Sequence, residues 1–317
     1  MKKVIYNALC FNEESIKAPN AHAFRGGVET YLKNSFVSLM SAKYHNSDCD
    51  VILIANNALP DKYASLFSAR GIKVLRAAFD NYTVPQNFMW EYAFYKLKAL
   101  EYIVNNTDYE YILGLDSDTY VADGLEKLWT ECEWDRPVLL PVLASTSGDA
   151  RKQIITDYER NWGQHLPLVH YGGEFIAGKR NVLSDFSKRI NDIYSKVKQN
   201  GFQITDEMGD EGFLSMAAND FEVLSAYPFI RRYWTRHAWY GADTCWADVP
   251  IWHLPAEKDY GILKMFSILV KKEKTPSKKK AAKIFNLPRW KKYNVNMIKY
   301  CIYILFRKMK ENGCLFF

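Results

Sequence analysis

No two cysteines in this chain are spaced to grip a metal. Cys10, Cys49, Cys132, Cys245, Cys301 and Cys314 stand apart without a Cys-x-x-Cys pair, which argues against a structural zinc and for a reducing compartment. No long apolar core follows Met1-Lys2-Lys3, and a short strand-like run, Val4 to Phe11, begins at once, so export is not expected. Internal repeats are lacking, and no apolar stretch is long and unbroken enough to span a bilayer. No glycine-rich Gly-x-Gly-x-Arg loop closes the first apolar run, which ends Leu9-Cys10-Phe11-Asn12-Glu13. The phosphate-cradling loop of a nucleotidyl-transferring enzyme is therefore absent.

The 317 residues are 48% hydrophobic and 15% aromatic, enough to bury a large core and to exclude a disordered chain. Strand-like and helix-like segments alternate: Val4 to Phe11, Val28 to Met40, Asp50 to Ala55, Asp61 to Ala69, Ile72 to Phe79. That order predicts an α/β fold with a doubly wound, mainly parallel sheet flanked by helices. The end of the first strand, Ala8 to Phe11, then falls near the ligand crevice, where Ala8 and Phe11 are expected beside a bound base. In the stretch from Phe88 to Asn105, Trp90, Phe94, Leu97, Leu100 and Val104 recur at helical spacing, and Lys96 and Lys98 lie off that stripe. Val138 to Val142 reads as a further strand and Asp149 to Gly163 as a helix or long loop.

The most informative segment is Tyr111-Ile112-Leu113-Gly114-Leu115-Asp116-Ser117-Asp118. Two carboxylates stand one residue apart where an apolar run stops. A strand has period two, so Asp116 and Asp118 are expected to project from the same side of the chain. Hard oxygen ligands so placed suit Mg²⁺ or Mn²⁺ held against phosphate oxygens, so the expected ligand is a nucleotide diphosphate. Asp and Ser are also ordinary turn residues at strand ends, and the motif gains weight only from its company. That company is His170-Tyr171-Gly172-Gly173-Glu174-Phe175, where glycines allow close backbone approach to a sugar and Glu174 could accept its hydroxyls; Asp206-Glu207-Met208-Gly209-Asp210-Glu211-Gly212-Phe213-Leu214, an acidic helix start; and Pro250-Ile251-Trp252-His253-Leu254-Pro255, followed by Lys258 and Lys264.

Charge divides the chain. The net charge is +6, but Lys271 to Phe317 holds 14 Lys or Arg against 2 Glu, leaving −6 on residues 1–270. An acidic body is unsuited to nucleic acid, whereas a basic, aromatic tail suits an anionic membrane surface. Asn294 to Lys310 reads as an interfacial helix or as a helix packed on the body. The expected division is a catalytic domain over 1–265 and a basic helical tail over 266–317.

As an ordered set these motifs resemble the nucleotide-sugar glycosyltransferases of the GT-A fold, in particular the family of glycogenin and the bacterial lipooligosaccharide galactosyltransferases. Tyr95-Lys96-Leu97-Lys98-Ala99-Leu100 is similar to the family's lysine-bearing helix, Gly209-Asp210-Glu211-Gly212-Phe213-Leu214 to its Gly-Asp-Gln-Gly-x-Leu segment, and His253 to its last metal ligand. Tyr171 to Phe175 also resembles the retaining blood-group-type transferases. The resemblance covers Met1 to Lys264 and implies transfer of a hexose from a UDP-sugar to a saccharide acceptor; the basic tail, outside it, adds the expectation of a lipid-linked acceptor, in cell-surface polysaccharide or lipopolysaccharide synthesis on the inner face of the cytoplasmic membrane. It implies a metal on Asp116, Asp118 and His253, with Mn²⁺ favoured over Mg²⁺ by the imidazole. Ser117, Lys96, Gly172, Gly173, Glu174 and one of Lys258 or Lys264 would hold the donor, and Asp210 and Glu211 would serve the acceptor or the cationic sugar. Two rivals share parts of the pattern: a haloacid-dehalogenase-type phosphatase, which also uses Asp-x-Asp after an apolar strand, and a non-catalytic membrane-surface protein working through its tail.

Overall fold

The computed structural model describes residues 1–11, 27–85, 88, 90–142, 147–205, 209–235, 246–272, 274–287 and 302. Its strands are β1 (Lys3–Leu9), β2 (Cys49–Ala55), β3 (Lys73–Arg76), β4 (Tyr111–Leu115), β5 (Thr119–Val121), β6 (Val138–Pro141), β7 (Tyr171–Lys179), β8 (Leu224–Ser225), β9 (Ile230–Arg232) and β10 (Ile251–His253). The helices are α1 (Gly27–His45), α2 (Asp61–Ala69), α3 (Tyr95–Asn106), α4 (Glu126–Glu131), α5 (Ser147–Trp162), α6 (Arg180–Gln199), α7 (Gly209–Ala218), α8 (Gly261–Lys272) and α9 (Lys278–Ile284).

Seven strands form one sheet in the order β3-β2-β1-β4-β7-β6-β8, and β5-β10-β9 form a second. The first four strands of the large sheet are parallel, as the alternating pattern predicts, and β7 runs antiparallel to both β4 and β6. The centre reads as unbroken apolar sequence because helices cover both faces: every residue of β4 is buried. On one face lie α1, α2, α8 and α9, with Phe36, Phe67 and Leu269 in the core; on the other lie α3, α5, α6 and α7, with Phe94, Phe186 and Phe213. Helix α6 buries Val182, Phe186, Ile190, Ile193 and Val197 at three- and four-residue steps, an amphipathic stripe laid on the sheet.

Helix α1 has no such stripe, because its buried surface is partly polar. Asn34, Ser38 and Ser41 are fully buried and repeat at the helical period. Ser38 Oγ lies 2.8 Å from Thr119 Oγ1, and Ser41 Oγ accepts the Val121 N–H at 3.0 Å. A helix of the first layer is thus tied to β5, the strand that follows Asp118.

The boundary expected at residue 265 falls inside α8, whose Met265 and Leu269 are buried. Helix α9 packs on α8, and Ala281, Ala282, Phe285 and Leu287 belong to the core of the first layer. Glu257, wholly buried, accepts the Gly261 N–H at the start of α8 at 2.9 Å and the Asn286 amide at 3.1 Å. Residues up to 287 are therefore structurally part of the body, and the basic composition from Lys271 does not mark a separable tail. Apart from Ile302, Asn294 to Lys310 lies outside the described residues, as do Asp206 to Met208. No helix among the described residues is long and apolar enough to cross a membrane.

Phe285→Ala should cost about 3–5 kcal/mol, as other large core truncations do. A chain ending at residue 287 should keep a cooperative thermal transition, whereas one ending at 270 should lose it; calorimetry of the three variants checks this.

Candidate active site

Strand β4 ends at Leu115, whose carbonyl accepts the Asn7 side-chain amide at 2.8 Å. The chain then turns sharply. The Asp116 N–H donates to the Glu174 carbonyl at 3.1 Å, and the Thr119 N–H and hydroxyl return to the Asp116 carbonyl at 3.2 and 2.8 Å. Asp116, Ser117 and Asp118 therefore sit in a turn between the two sheets, not on a continuing strand. The period-two argument for their alignment is replaced by the geometry of this turn, which buries Ser117 and Asp118 and leaves Asp116 partly open.

Strand β10 pairs antiparallel with β5 so that His253 stands opposite Thr119, and the Leu254 N–H donates to the Asp118 carbonyl at 2.9 Å. This register brings His253 to the carboxylates from 135 residues downstream in sequence. Asp116, Asp118 and His253 each offer a ligand atom, and all lie within 4.8 Å of one another. His253 Nε2 is 3.4 Å from Asp118 Oδ2, and Nδ1 is 3.2 Å from Glu174 Oε1. A carboxylate behind one imidazole nitrogen orients the other toward a metal. Asp118 Oδ2 is enclosed and has no well-aligned hydrogen bond. Hard carboxylate oxygens from two residues and an oriented imidazole, gathered in one place, fit a divalent cation.

Two lysines reach the same carboxylates. Lys96 Nζ, from α3, lies 3.2 Å from Asp116 Oδ1 and 2.8 Å from Asp210 Oδ2. Lys258 Nζ lies 3.1 Å from Asp118 Oδ2. Lys264 is exposed on α8 and Lys98 pairs with Asp80 and Glu101, so neither of these joins the cluster.

A second group adjoins the first. Arg232, at the end of β9, donates to both oxygens of Glu174, with Nη2 to Oε2 at 2.6 Å, and reaches Glu211 Oε1 at 2.6 Å. His170 Nε2 lies 2.6 Å from Glu211 Oε2, and the Gly173 N–H donates to Glu211 Oε1 at 3.3 Å. Glu174 is 1% exposed. Its expected role as an open acceptor for sugar hydroxyls fails, because Arg232 and His253 occupy its oxygens. Gly172 and Gly173 are needed for a reason internal to the protein: a Cβ at Gly173 would collide with Asp210 and Lys96, and one at Gly172 with Glu174 and Arg232.

At the end of β1, Ala8 lies beside Lys96 and Gly173. Phe11 departs from its expected place beside a base. Its ring is buried in the core, its N–H donates to Asn56 Oδ1 at 2.9 Å, and its carbonyl accepts from Asn56 and Asn57 at 2.8 and 2.7 Å. Neither backbone group is left for a ligand.

Burial pushes every carboxylate here up, and the neighbouring cations decide which resist. Burial would raise Glu211, but Arg232 and the His170 hydrogen bond hold it down at about 2. Glu174 is likewise kept well below its usual range by Arg232 and His253 against burial, and Asp118 by Lys258 and His253. Asp210 shares Lys96 with Asp116, and burial prevails, lifting it to about 6. Burial opposes the His253 imidazolium, yet Asp118 and Glu174 lift it to about 9 without metal.

Arg232 has no part in the sequence expectations, and His170 enters only as the head of a motif. The one signal for Arg232 was a pair of arginines in an otherwise acidic body.

No protein-family profile matches the sequence, and no curated protein matches it closely. Solved structures do share its shape. An active-site mutant of LgtC superposes with a TM-score of 0.52 at 16% identity over 79% of this chain and 86% of that one. The galactosyltransferase LgtC in complex with donor and acceptor sugar analogues gives 0.51 at 14% identity over 79% and 86%. Mouse xyloside xylosyltransferase 1, in its apo form, gives 0.50 at 13% identity over 80% and 97%. The chain has the GT-A fold, with a mostly parallel central sheet flanked by helices.

Arg232→Met removes the guanidinium from buried Glu174 and part-buried Glu211 and should destabilise the protein by about 3 kcal/mol at neutral pH. Because the folded values of Glu174 and Glu211 lie below their unfolded ones, the stability they contribute through Arg232 is present above about pH 4.3. It is lost as pH falls toward about 2. The gap in melting temperature between wild type and Arg232→Met should therefore narrow steadily over that window.

Proposed function

We propose that this chain is a divalent-metal-dependent glycosyltransferase that moves a hexose from a UDP-sugar to a saccharide or lipid-linked acceptor. The observation that carries this reading is the placement of Asp116, Asp118 and His253 within 4.8 Å of one another at the end of β4, flanked by Lys96 and Lys258. Sheets of this kind take ligands at the carboxyl ends of their strands. Acidic groups alone would repel a diphosphate; with a cation and two lysines the same place attracts one.

A divalent ion held by Asp116, Asp118 and His253 would supply Lewis-acid stabilisation of negative charge on a departing phosphate. The imidazole favours Mn²⁺ over Mg²⁺. Lys96 and Lys258 add fixed positive charge on the same side. As the bond to the diphosphate breaks, the sugar gains cationic character. Glu211, kept ionised by Arg232 and His170, holds a negative charge that can stabilise it. Asp210, whose proton affinity is raised toward neutrality, is the better placed of the two to accept a proton from the acceptor hydroxyl. The phosphatase rival needs Thr or Val two residues beyond the second aspartate, and the buried Tyr120 stands there instead.

Membrane association through the basic end of the chain belongs to the same proposal. Pro288 to Phe317 carries seven Lys or Arg and one Glu, a charge suited to an anionic cytoplasmic leaflet and a lipid-linked acceptor. A chain ending at 287 should lose sedimentation with anionic vesicles; retained sedimentation refutes the anchor.

UDP with Mn²⁺ should raise the melting temperature, corresponding to about 2.7 kcal/mol at a hundred times the dissociation constant. Chelator and Asp118→Ala should each abolish the shift. A shift indifferent to both would remove the metal–diphosphate reading.

A further inference from the structure

The metal-ligand carboxylates already have cations, and the protein supplies them. Lys258 Nζ approaches Asp118 Oδ2, the same oxygen that faces His253 Nε2. Both lysine ends are largely withdrawn from water, with side chains 16% exposed for Lys258 and 26% for Lys96. An ammonium on this oxygen and a divalent ion among these three ligands compete for the same lone pairs and repel at short range.

The two lysines differ in what else holds them. Lys96 has Asp210 as a second partner at 2.8 Å, so loss of Asp116 would leave it paired. The ion pair of Lys258 among the described residues is with Asp118 alone. Its backbone is fixed from three sides. With its amide turned to donate, Asn34 reaches the Lys258 carbonyl at 3.1 Å. The Leu254 N–H is bound to the Asp118 carbonyl, and Glu257 fastens the start of α8. Only the four-carbon side chain can move, over the face of Tyr31, whose ring centroid lies 5.7 Å from Nζ. The Tyr31 hydroxyl beneath it is enclosed and has no hydrogen-bond partner among the described residues.

Building on the metal–diphosphate reading of the site, we propose that Lys258 is an exchangeable internal counter-ion. It neutralises Asp118 while no divalent ion is bound, is displaced when the ion arrives, and transfers its ammonium to the phosphate oxygens of the nucleotide. One residue then acts with opposite sign on two ligands. It weakens binding of the metal alone and strengthens binding of the nucleoside diphosphate once metal is present, which couples the two events. A lysine that served only as a phosphate ligand would have no effect of the first kind.

The test measures Mn²⁺ binding to the nucleotide-free protein, from the paramagnetic resonance signal of free Mn²⁺, and UDP binding at saturating Mn²⁺ by calorimetry. Wild type is compared with Lys258→Gln and with Lys264→Gln, which removes one charge from the exposed face of α8 without touching Asp118; circular dichroism confirms that each is folded. Lys258→Gln should bind Mn²⁺ alone more tightly by about fivefold or more and UDP more weakly by a similar factor, while Lys264→Gln changes each by less than about twofold. Equal or weaker Mn²⁺ binding by Lys258→Gln, or an equal gain in Lys264→Gln, overturns the exchange. If wild type binds UDP with Mn²⁺ and that happens, only the exchange is lost; if wild type binds neither ligand, the proposed function falls with it.

Discussion

Mutual repulsion among five carboxylates governs the middle of this molecule. Asp116, Asp118, Glu174, Asp210 and Glu211 converge from one turn, a strand and a helix start, and all but Asp116 and Glu211 are nearly or wholly buried. Removing unpaired carboxylates from water is prohibitively costly, so such a cluster exists only where cations are built in. Lys96, Lys258, Arg232 and His253 provide them, each from a different segment, and His170 adds a hydrogen bond to Glu211. The electrostatic condition thus becomes a structural one: every element that delivers a charge must be held in register with the others.

The fold meets that condition with backbone and small polar groups. Along α1, Asn34, Ser38 and Ser41 form a buried polar line that ties the Lys258 loop, Thr119 and β5 to one rigid helix. Glu257 joins the loop to α8 and, through Asn286, to the chain beyond α9. The small sheet sets His253 opposite Thr119. Each fastening is a hydrogen bond of modest net value, and each would cost more if broken, because its partners are buried. This explains why residues as far on as Asn286 and Leu287, in a strongly basic stretch, belong to the body that carries the site.

How much of this the sequence disclosed depends on the range of the interaction. Local periodicity located α2 at Asp61–Ala69 and β4 at Tyr111–Leu115 without displacement, because an apolar run or stripe states its own burial. Motif order singled out Asp116, Asp118, His253 and Lys96, which the structure brings together. Glu174 and Phe11 were misjudged for a common reason. A carboxylate looks available until its partner is known, and Arg232 lies 58 residues from Glu174. A residue at a strand end looks open until Asn56 and Asn57 are seen to close its backbone. The choice between Lys258 and Lys264 turned on which side of a helix start faces inward, which charge and spacing do not encode. At the acidic to basic transition, composition pointed to a boundary that burial of Phe285 denies.

Adjacent positions Asp210 and Glu211 show what the surrounding charges accomplish. The two carboxylates begin α7 side by side, chemically alike, yet their proton affinities are driven apart. Glu211 faces the Arg232 guanidinium and a hydrogen bond with His170, and stays ionised despite burial. Asp210 has only a share of Lys96, whose charge is also drawn by Asp116, and burial wins. Divergent environments for paired carboxyls are how one site obtains a fixed charge and a titrating group from the same chemistry. The division of labour therefore rests on Arg232: without it Glu211 would lose its larger counter-charge and drift upward toward Asp210, and Glu174 would keep His253 alone to oppose burial. A residue that touches neither Asp116 nor Asp118 in this way conditions both the orientation of the imidazole and the distinction between the two carboxylates on α7.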